Sequence, residues 1–400
     1  MVRRIQNFGL LVIGALLLVV VMALPSFSHE MEITINDVTV TRGDAAVPNR
    51  FDAANWMHDN LIFLADKSLK EIAIIGSHDS GMSSRNGGTE FGTECRTLTQ
   101  SKNVYEQLLL GARYFDIRPV ISGGKYKTGH YSRFKLKDLE NSESTLERIG
   151  GFLGRVITDV VGGPTETSQG ANGQSIQDII ANLNEFTAPD NRSELLILHL
   201  SHSLNTDVGN SSYRQFDLGE WKDLFKELEK INYLYVVPNN STGVALTDIT
   251  LFDFFNDHRS KVIILVDDTV PSALMDEYQG KGFYYDTSFK IYNEYAGTES
   301  VDVMVNDQLK KMEEKAADTY FFLSWTLTQQ SFDSDCVVTL ADRANAKLKE
   351  NLPIEGKIQV LDKEISSQLF PNIIYMDNIV DHHPAELALD ISKKISTTNR

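Results

Sequence analysis

Residues 195–202 read Leu195-Leu196-Ile197-Leu198-His199-Leu200-Ser201-His202. Four apolar residues in succession leave no polar face, so a strand here is covered on both sides. Val262-Ile263-Ile264-Leu265-Val266 repeats the pattern and runs into Asp267 and Asp268. Two-sided burial is the mark of parallel strands clothed by helices. Outward from these two, β-rich runs occupy Glu71–Ile75, Ala112–Val120, Lys125–Gly129, Gly282–Tyr285, Tyr320–Trp325 and Asn372–Met376. The amphipathic stretches Ser175–Phe186, Glu220–Ile231, Val301–Ala317 and Ala341–Leu352 lie between several of them. About eight strands alternating with helices predict an α/β fold, a TIM-like (β/α) barrel with room for distortion or incomplete closure. A doubly wound open sheet is the rival, weakened because no glycine-rich phosphate loop follows the first run. Val161–Gly173, rich in Gly, Thr and Ser, is expected to be a loop.

Nearly every run ends on polar residues. Ser77-His78-Asp79 follows the first; Asp116 and Arg118 lie in the second; His130 ends the third. His199, Ser201 and His202 close the fourth, then come Asp267 and Asp268, Asp286, Trp325-Thr326 and Asp377. In a barrel the C-terminal strand ends meet on one face, where active sites form.

The chain begins with Arg3 and Arg4, an uncharged run from Phe8 to Leu24, and Pro25-Ser26-Phe27-Ser28. That order predicts a signal peptide over 1–28, with a retained anchor as the rival. Both place the rest of the chain in a secreted, cell-surface or periplasmic location. Residues 29–55 are expected to be a leader, with Met31-Glu32-Ile33-Thr34-Ile35 as a short alternating strand; 56–400 is expected to be the barrel domain. Net charge is −17, and loss of Arg3 and Arg4 with the signal would take it to −19. Such a surface disfavours nucleic acid. The two cysteines, Cys95 and Cys336, are either a disulfide or two unrelated thiols. The compartment favours the disulfide, closing a loop of about 240 residues worth up to ~5 kcal/mol.

Three motifs carry chemistry. Gly76-Ser77-His78-Asp79 sends a histidine out of a buried strand beside an acid; alone, it also suits a loop histidine bonded locally. In Gly111-Ala112-Arg113-Tyr114-Phe115-Asp116-Ile117-Arg118 the last acid and base are two apart and share a face. They suit either a phosphate-holding pair or a structural ion pair. Gly129-His130 supplies a second histidine. Two imidazoles and a guanidinium meet the needs of phosphodiester cleavage by internal attack: a base, an acid for the leaving alkoxide, and a cation for the phosphorane.

In these three motifs, their order and their spacing, the stretch from about Trp56 to Asp381 resembles the X-type catalytic domain of phosphatidylinositol-specific phospholipases C, specifically the bacterial metal-independent branch. The resemblance implies a phosphoric diester hydrolase acting through a cyclic phosphate, without a cofactor or metal. It implies His78 as general base, His130 as general acid and Arg118 as the cation where the calcium-dependent branch holds a metal. Asp79 would orient His130 and Arg118, Asp116 would be a nearby site carboxylate, and Asp377 would orient the base. A phospholipid at a membrane surface is the implied partner, and a monomer is expected. The sequence departs from the pattern at His199 and His202, where bacterial enzymes tend to carry a basic residue that grips inositol. Tyr285 and Trp325 are the candidates for an aromatic residue against the headgroup. Two alternatives stay open: a metal-dependent glycerophosphodiesterase, and an inactive barrel that binds a phospholipid or glycan. Asp377, Asp381, His382 and His383 also form a metal-like cluster on paper, with a chain end as the plainer reading.

Overall fold

Strands apolar on both faces need neighbours in the plane and helices above and below, and that demand shapes the whole molecule. The computed structural model describes residues 31–35, 38–42, 51–135, 166–209, 213–238, 244–331, 333–349, 359–360 and 363–397. It divides into two units, Met1–Arg50 and Phe51–Arg400. In the first, β1 (Met31–Ile35) and β2 (Val38–Arg42) form an antiparallel hairpin. The expected signal segment lies outside the described residues.

The strands of the second unit are β3 (Ile74–Ser77), β4 (Ala112–Ile117), β5 (Pro119–Ser122), β6 (Lys125–Lys135), β7 (Glu166–Ser175), β8 (Leu195–Leu200), β9 (Leu204–Asn205), β10 (Lys261–Val266), β11 (Phe283–Tyr285), β12 (Ile291–Tyr292), β13 (Tyr320–Trp325), β14 (Gln359–Val360), β15 (Lys363–Glu364) and β16 (Ile373–Met376). Its helices are α1 (Leu61–Leu64), α2 (Glu94–Thr97), α3 (Val104–Leu109), α4 (Ile176–Thr187), α5 (Leu218–Leu228), α6 (Leu251–Phe254), α7 (Ser272–Glu277), α8 (Val301–Lys315), α9 (Val337–Lys349) and α10 (His383–Thr397). Eight strands pair in the order β11-β10-β8-β4-β3-β16-β13-β12, every pair parallel. The result is an incompletely closed TIM-like barrel whose edges are β11 and β12. Among the described residues no helix is long and apolar enough to cross a membrane.

Alternation sorts the side chains of each strand. Tyr114 of β4, Phe322 of β13 and Tyr375 of β16 meet edge-on inside, with centroids 5.1 Å apart for Tyr114–Phe322 and 5.5 Å for Phe322–Tyr375. Gly76 makes room for them: a Cβ there would stand 2.4 Å from Ile373 and 3.1 Å from Tyr375. On the outer face Arg113 is fully buried. Its Nε donates to Glu194 at 2.8 Å, and its other nitrogens reach the carbonyls of Leu108, Ala112, Ala53 and Ala54. Every donor being satisfied is what lets a buried ion pair survive its desolvation cost.

A second sheet, order β7-β6-β5-β9, corrects two expectations. Lys125–Gly129 is not a barrel strand but the start of the eleven-residue β6, antiparallel to β5. Only Gly123 and Gly124, at φ 61° and 66°, separate the two strands. Two residues of positive φ make a hairpin turn and cannot make a parallel crossover. The eighth barrel strand is instead the short β12. The expected loop Val161–Gly173 is, over its described part, strand β7, paired antiparallel to β6. Its glycines mark close approach, since a Cβ on Gly170 would fall 2.1 Å from the carbonyl oxygen of His130. Cys95 in α2 and Cys336, just before α9, form a disulfide.

Candidate active site

His78 leaves β3 with its backbone N–H donating to Met376 O at 3.0 Å. That bond brings it level with Asp377, the residue that follows β16. The ring Nδ1 lies 2.7 Å from Asp377 Oδ1, and Nε2 lies 2.8 Å from Arg118 Nη2. A carboxylate on one nitrogen and a guanidinium donor on the other define the tautomer: Nδ1 carries the proton and Nε2 the lone pair. Tyr375 and Tyr295 flank the ring at centroid distances of 5.3 and 5.5 Å.

Asp116 holds Arg118 through Nε at 3.1 Å and Nη2 at 3.0 Å. The same carboxylate accepts from Tyr375 OH at 2.6 Å, Ser201 Oγ at 3.2 Å and the Asp79 N–H at 3.1 Å. Burial favours its neutral form, but the charges of Arg118 and His78 and the Tyr375 hydroxyl outweigh it and hold the carboxyl well below the usual range. Asp79 contrasts with it. It is fully buried in the left-handed backbone region at φ 43°, and neither carboxylate oxygen has a hydrogen-bond partner. Arg118 Nη1 and His130 Nδ1 stand just outside bonding range, 3.5 and 3.6 Å from Oδ2. Burial pushes its pKa up to about 7 against the pull of Arg118.

His130 comes from β6, outside the barrel. Its Nδ1 is 3.2 Å from Thr97 O. Burial, then the charges of Arg118 and His78, push its pKa down to about 3. With Asp79 raised and His130 lowered, burial holds both groups toward their neutral forms. The structure therefore brings His78, His130, Arg118, Asp79, Asp116 and Asp377 together at one mouth of the barrel.

No family model matches the chain, and no curated protein matches it in sequence. Among solved structures, the phosphatidylinositol-specific phospholipase C of Listeria monocytogenes superposes with a TM-score of 0.50 at 15% identity, over 86% of this chain and 99% of that one. A variant of the Staphylococcus aureus phosphatidylinositol-specific phospholipase C superposes with a TM-score of 0.50 at 14% identity, over 86% and 98%. The chain has the fold of the bacterial phosphatidylinositol-specific phospholipases C.

On this phospholipase C fold the expected headgroup residues divide. His199 is bound on both nitrogens, Nδ1 to Tyr114 OH at 2.5 Å and Nε2 to Asp286 Oδ2 at 3.1 Å. His202 joins the Asp116 network through Ser201 Oγ at 2.7 Å. Tyr285 gives its hydroxyl to Val270 O at 2.9 Å, away from the histidines' own contacts. Trp325 is a correction. Alternation along β13 turns Phe322 inward and Trp325 outward, where it is fully buried and its Nε1 donates to Ala344 O of α9 at 2.7 Å. It offers no face to a ligand.

The exposed ring beside His78 is instead Tyr295, just past β12. Sequence reasoning also passed over Tyr114 and Tyr375, although each sits two residues before a site acid and so on its face. The four-residue metal cluster does not assemble. Asp377 is engaged by His78, and Asp381 Oδ1 accepts from the His383 N–H at 3.2 Å. His382, His383 and Glu386 do gather their ligand atoms within 4.8 Å. The pairs His382–Glu386 at 3.6 Å and His383–Glu386 at 3.1 Å account for that grouping.

Proposed function

We propose that this protein is a secreted phosphodiesterase of the phospholipase C type, cleaving phosphatidylinositol or a related inositol lipid or glycolipid at a membrane surface. The observation that carries the reading is the chain of contacts that joins two imidazoles: His78 seated on Asp377 and bonded to Arg118, Arg118 facing Asp79, and Asp79 facing His130. Phosphate oxygens draw Arg118 from His78 Nε2, which frees that lone pair to take the proton of the inositol 2-hydroxyl. The oxygen attacks phosphorus. The diacylglycerol oxygen departs with the Nε2 proton of the His130 imidazolium, whose Nδ1–H faces Thr97 O and the Asp79 carboxyl. Arg118 neutralises charge on the phosphorane. A cyclic phosphate results, and water opens it with the two histidines in exchanged roles. The disulfide supports an oxidising compartment.

The test is a product assay on phosphatidylinositol and glycosylated inositol lipids followed by phosphorus NMR. A cyclic phosphate signal that precedes the monoester is expected. Direct formation of a monoester without it, or no turnover of any inositol lipid, would overturn the reading.

A further inference from the structure

The disulfide sits two residues from the carbonyl that fixes His130, and the segment that follows, as far as Gln100, is tied to the backbone or side chains of His78, Asp79 and His130. Thr97 O takes the His130 Nδ1 bond at 3.2 Å. Thr99 Oγ1 donates to Asp79 O at 2.9 Å. Gln100, fully buried, donates from Nε2 to His78 O at 3.0 Å and Met376 O at 3.3 Å, and its Oε1 accepts from the Ile379 N–H at 3.1 Å. Asn378 N–H, next to Asp377, donates to Thr99 O at 2.8 Å.

The helix on the far side of the disulfide grips the same place. Asn345 Nδ2 of α9 donates to Asp377 O at 2.9 Å and Asn378 O at 3.1 Å, and Asn378 Nδ2 donates to Asp342 at 2.7 Å. Chain 95–99, residue 378, helix α9 and the disulfide thus close a ring around the site. Helix α2 is a single turn of four residues. A single turn does not hold itself, so its position depends on what anchors it.

We propose that the Cys95–Cys336 disulfide positions the general acid. It fastens α2 to α9, and so holds the Thr97 carbonyl where it accepts from His130 Nδ1–H and aims the Nε2–H of the protonated ring at the leaving oxygen. Gln100 is the second positioning residue, stitching the His78 and Met376 carbonyls together under the base. The proposal rests on the reading above for the identity of the reaction, and it separates acid from base. Thr97 O belongs to His130 alone, whereas the His78–Asp377 pair keeps its α9 and Gln100 bonds when the disulfide opens.

The experiment compares three samples well below the melting midpoint: the oxidised protein, the same folded protein reduced with a phosphine, and Cys95→Ser/Cys336→Ser. Each is assayed on phosphatidylinositol vesicles and on an inositol nitrophenyl phosphodiester, whose leaving group needs no proton. Loss of the disulfide is expected to lower kcat on the lipid on the order of 10- to 100-fold, with KM changed less than about twofold and the nitrophenyl substrate affected less than about threefold. Two-bond proton–nitrogen NMR correlations of His130 are expected to lose their single Nδ1–H tautomer pattern while those of His78 stay. A lower melting midpoint with kcat unchanged would leave the disulfide a stability element only and overturn the proposal. Equal losses on both substrates would do the same. If the oxidised protein turns over no inositol lipid, the functional reading fails by itself. The NMR arm still decides positioning, and an unmoved His130 spectrum on reduction sinks it.

Discussion

The two histidines are held by different kinds of architecture. His78 ends a central strand of the parallel barrel, between β4 and β16, and its carboxylate partner is one ladder step away at 2.7 Å. His130 arrives on β6 of the second sheet, paired antiparallel to both neighbours, and its partners are a carbonyl at 3.2 Å and a carboxylate at 3.6 Å. On the proposed function, the base is built into the scaffold, while the acid is delivered to it. A base must be in place before any bond changes; an acid is needed only as the leaving oxygen develops charge. The comparison teaches that rigid registration has gone to the group whose geometry decides whether attack starts.

The sharpest way to break this comparison is to remove each ring and vary the leaving group. His78→Ala is expected to lose on the order of 10²–10⁴ in kcat on both the lipid and the nitrophenyl diester, because the hydroxyl needs a base whatever departs. His130→Ala is expected to lose a similar factor on the lipid and under about tenfold on the nitrophenyl compound. Equal losses for His130→Ala would remove the acid assignment, and rescue of His78→Ala by the good leaving group would exchange the two roles. Circular dichroism confirms first that each variant folds.

A smaller effect separates the carboxylates. To act as general acid His130 must carry a second proton, on Nε2, and burial with the charges of Arg118 and His78 pushes its pKa down to about 3. Lipid cleavage is therefore expected to fall toward alkaline pH. Asp79→Asn removes the carboxyl 3.6 Å from His130 Nδ1, so the alkaline limb moves to lower pH. Asp377→Asn acts on the base instead, lowering the rate on the order of 10- to 100-fold and shifting the acidic limb. The pH profiles of kcat for both variants check this, and a common shift in the two would mean that acid and base are not separately held. The smallest expected effect is none: dialysis against a strong chelator leaves turnover unchanged, because Arg118 is a permanent cation. Strict calcium dependence would give that role to an ion.

Much of the barrel and its reactive end was legible in the sequence, because strands apolar on both faces announce burial and a polar residue at a strand's end has nowhere to go but the mouth. Gly76-Ser77-His78-Asp79 and Asp116-Ile117-Arg118 were readable for that reason. The second sheet was not. Lys125–Gly129 shares the composition of a barrel strand, and only the positive φ of Gly123 and Gly124 reveals the hairpin. Val161–Gly173 looked like a loop because Gly170 and Gly173 serve contact rather than turning. Trp325 misled because composition does not say which face of β13 an aromatic takes, whereas the partners of Phe322 do. Tyr295 lay hidden because it belongs to no strand at all.

The unpaired edges of the barrel have a consequence for how such a protein changes over generations. Asp286 follows β11 and Tyr295 follows β12, so the partner of His199 and the exposed ring beside the base flank the one gap in the ladder order. His78, Asp116, Arg118 and Asp377 lie instead on β3, β4 and β16 or immediately after them, each of these strands bonded on both sides. An insertion or substitution at the seam disturbs no pair of hydrogen-bonded strands, while one in the interior shifts a register and every side chain with it. On the proposed function, selectivity is thus lodged where drift is tolerated and chemistry where it is forbidden, and a lineage carrying this fold can try new headgroups without rebuilding its means of breaking the phosphodiester bond.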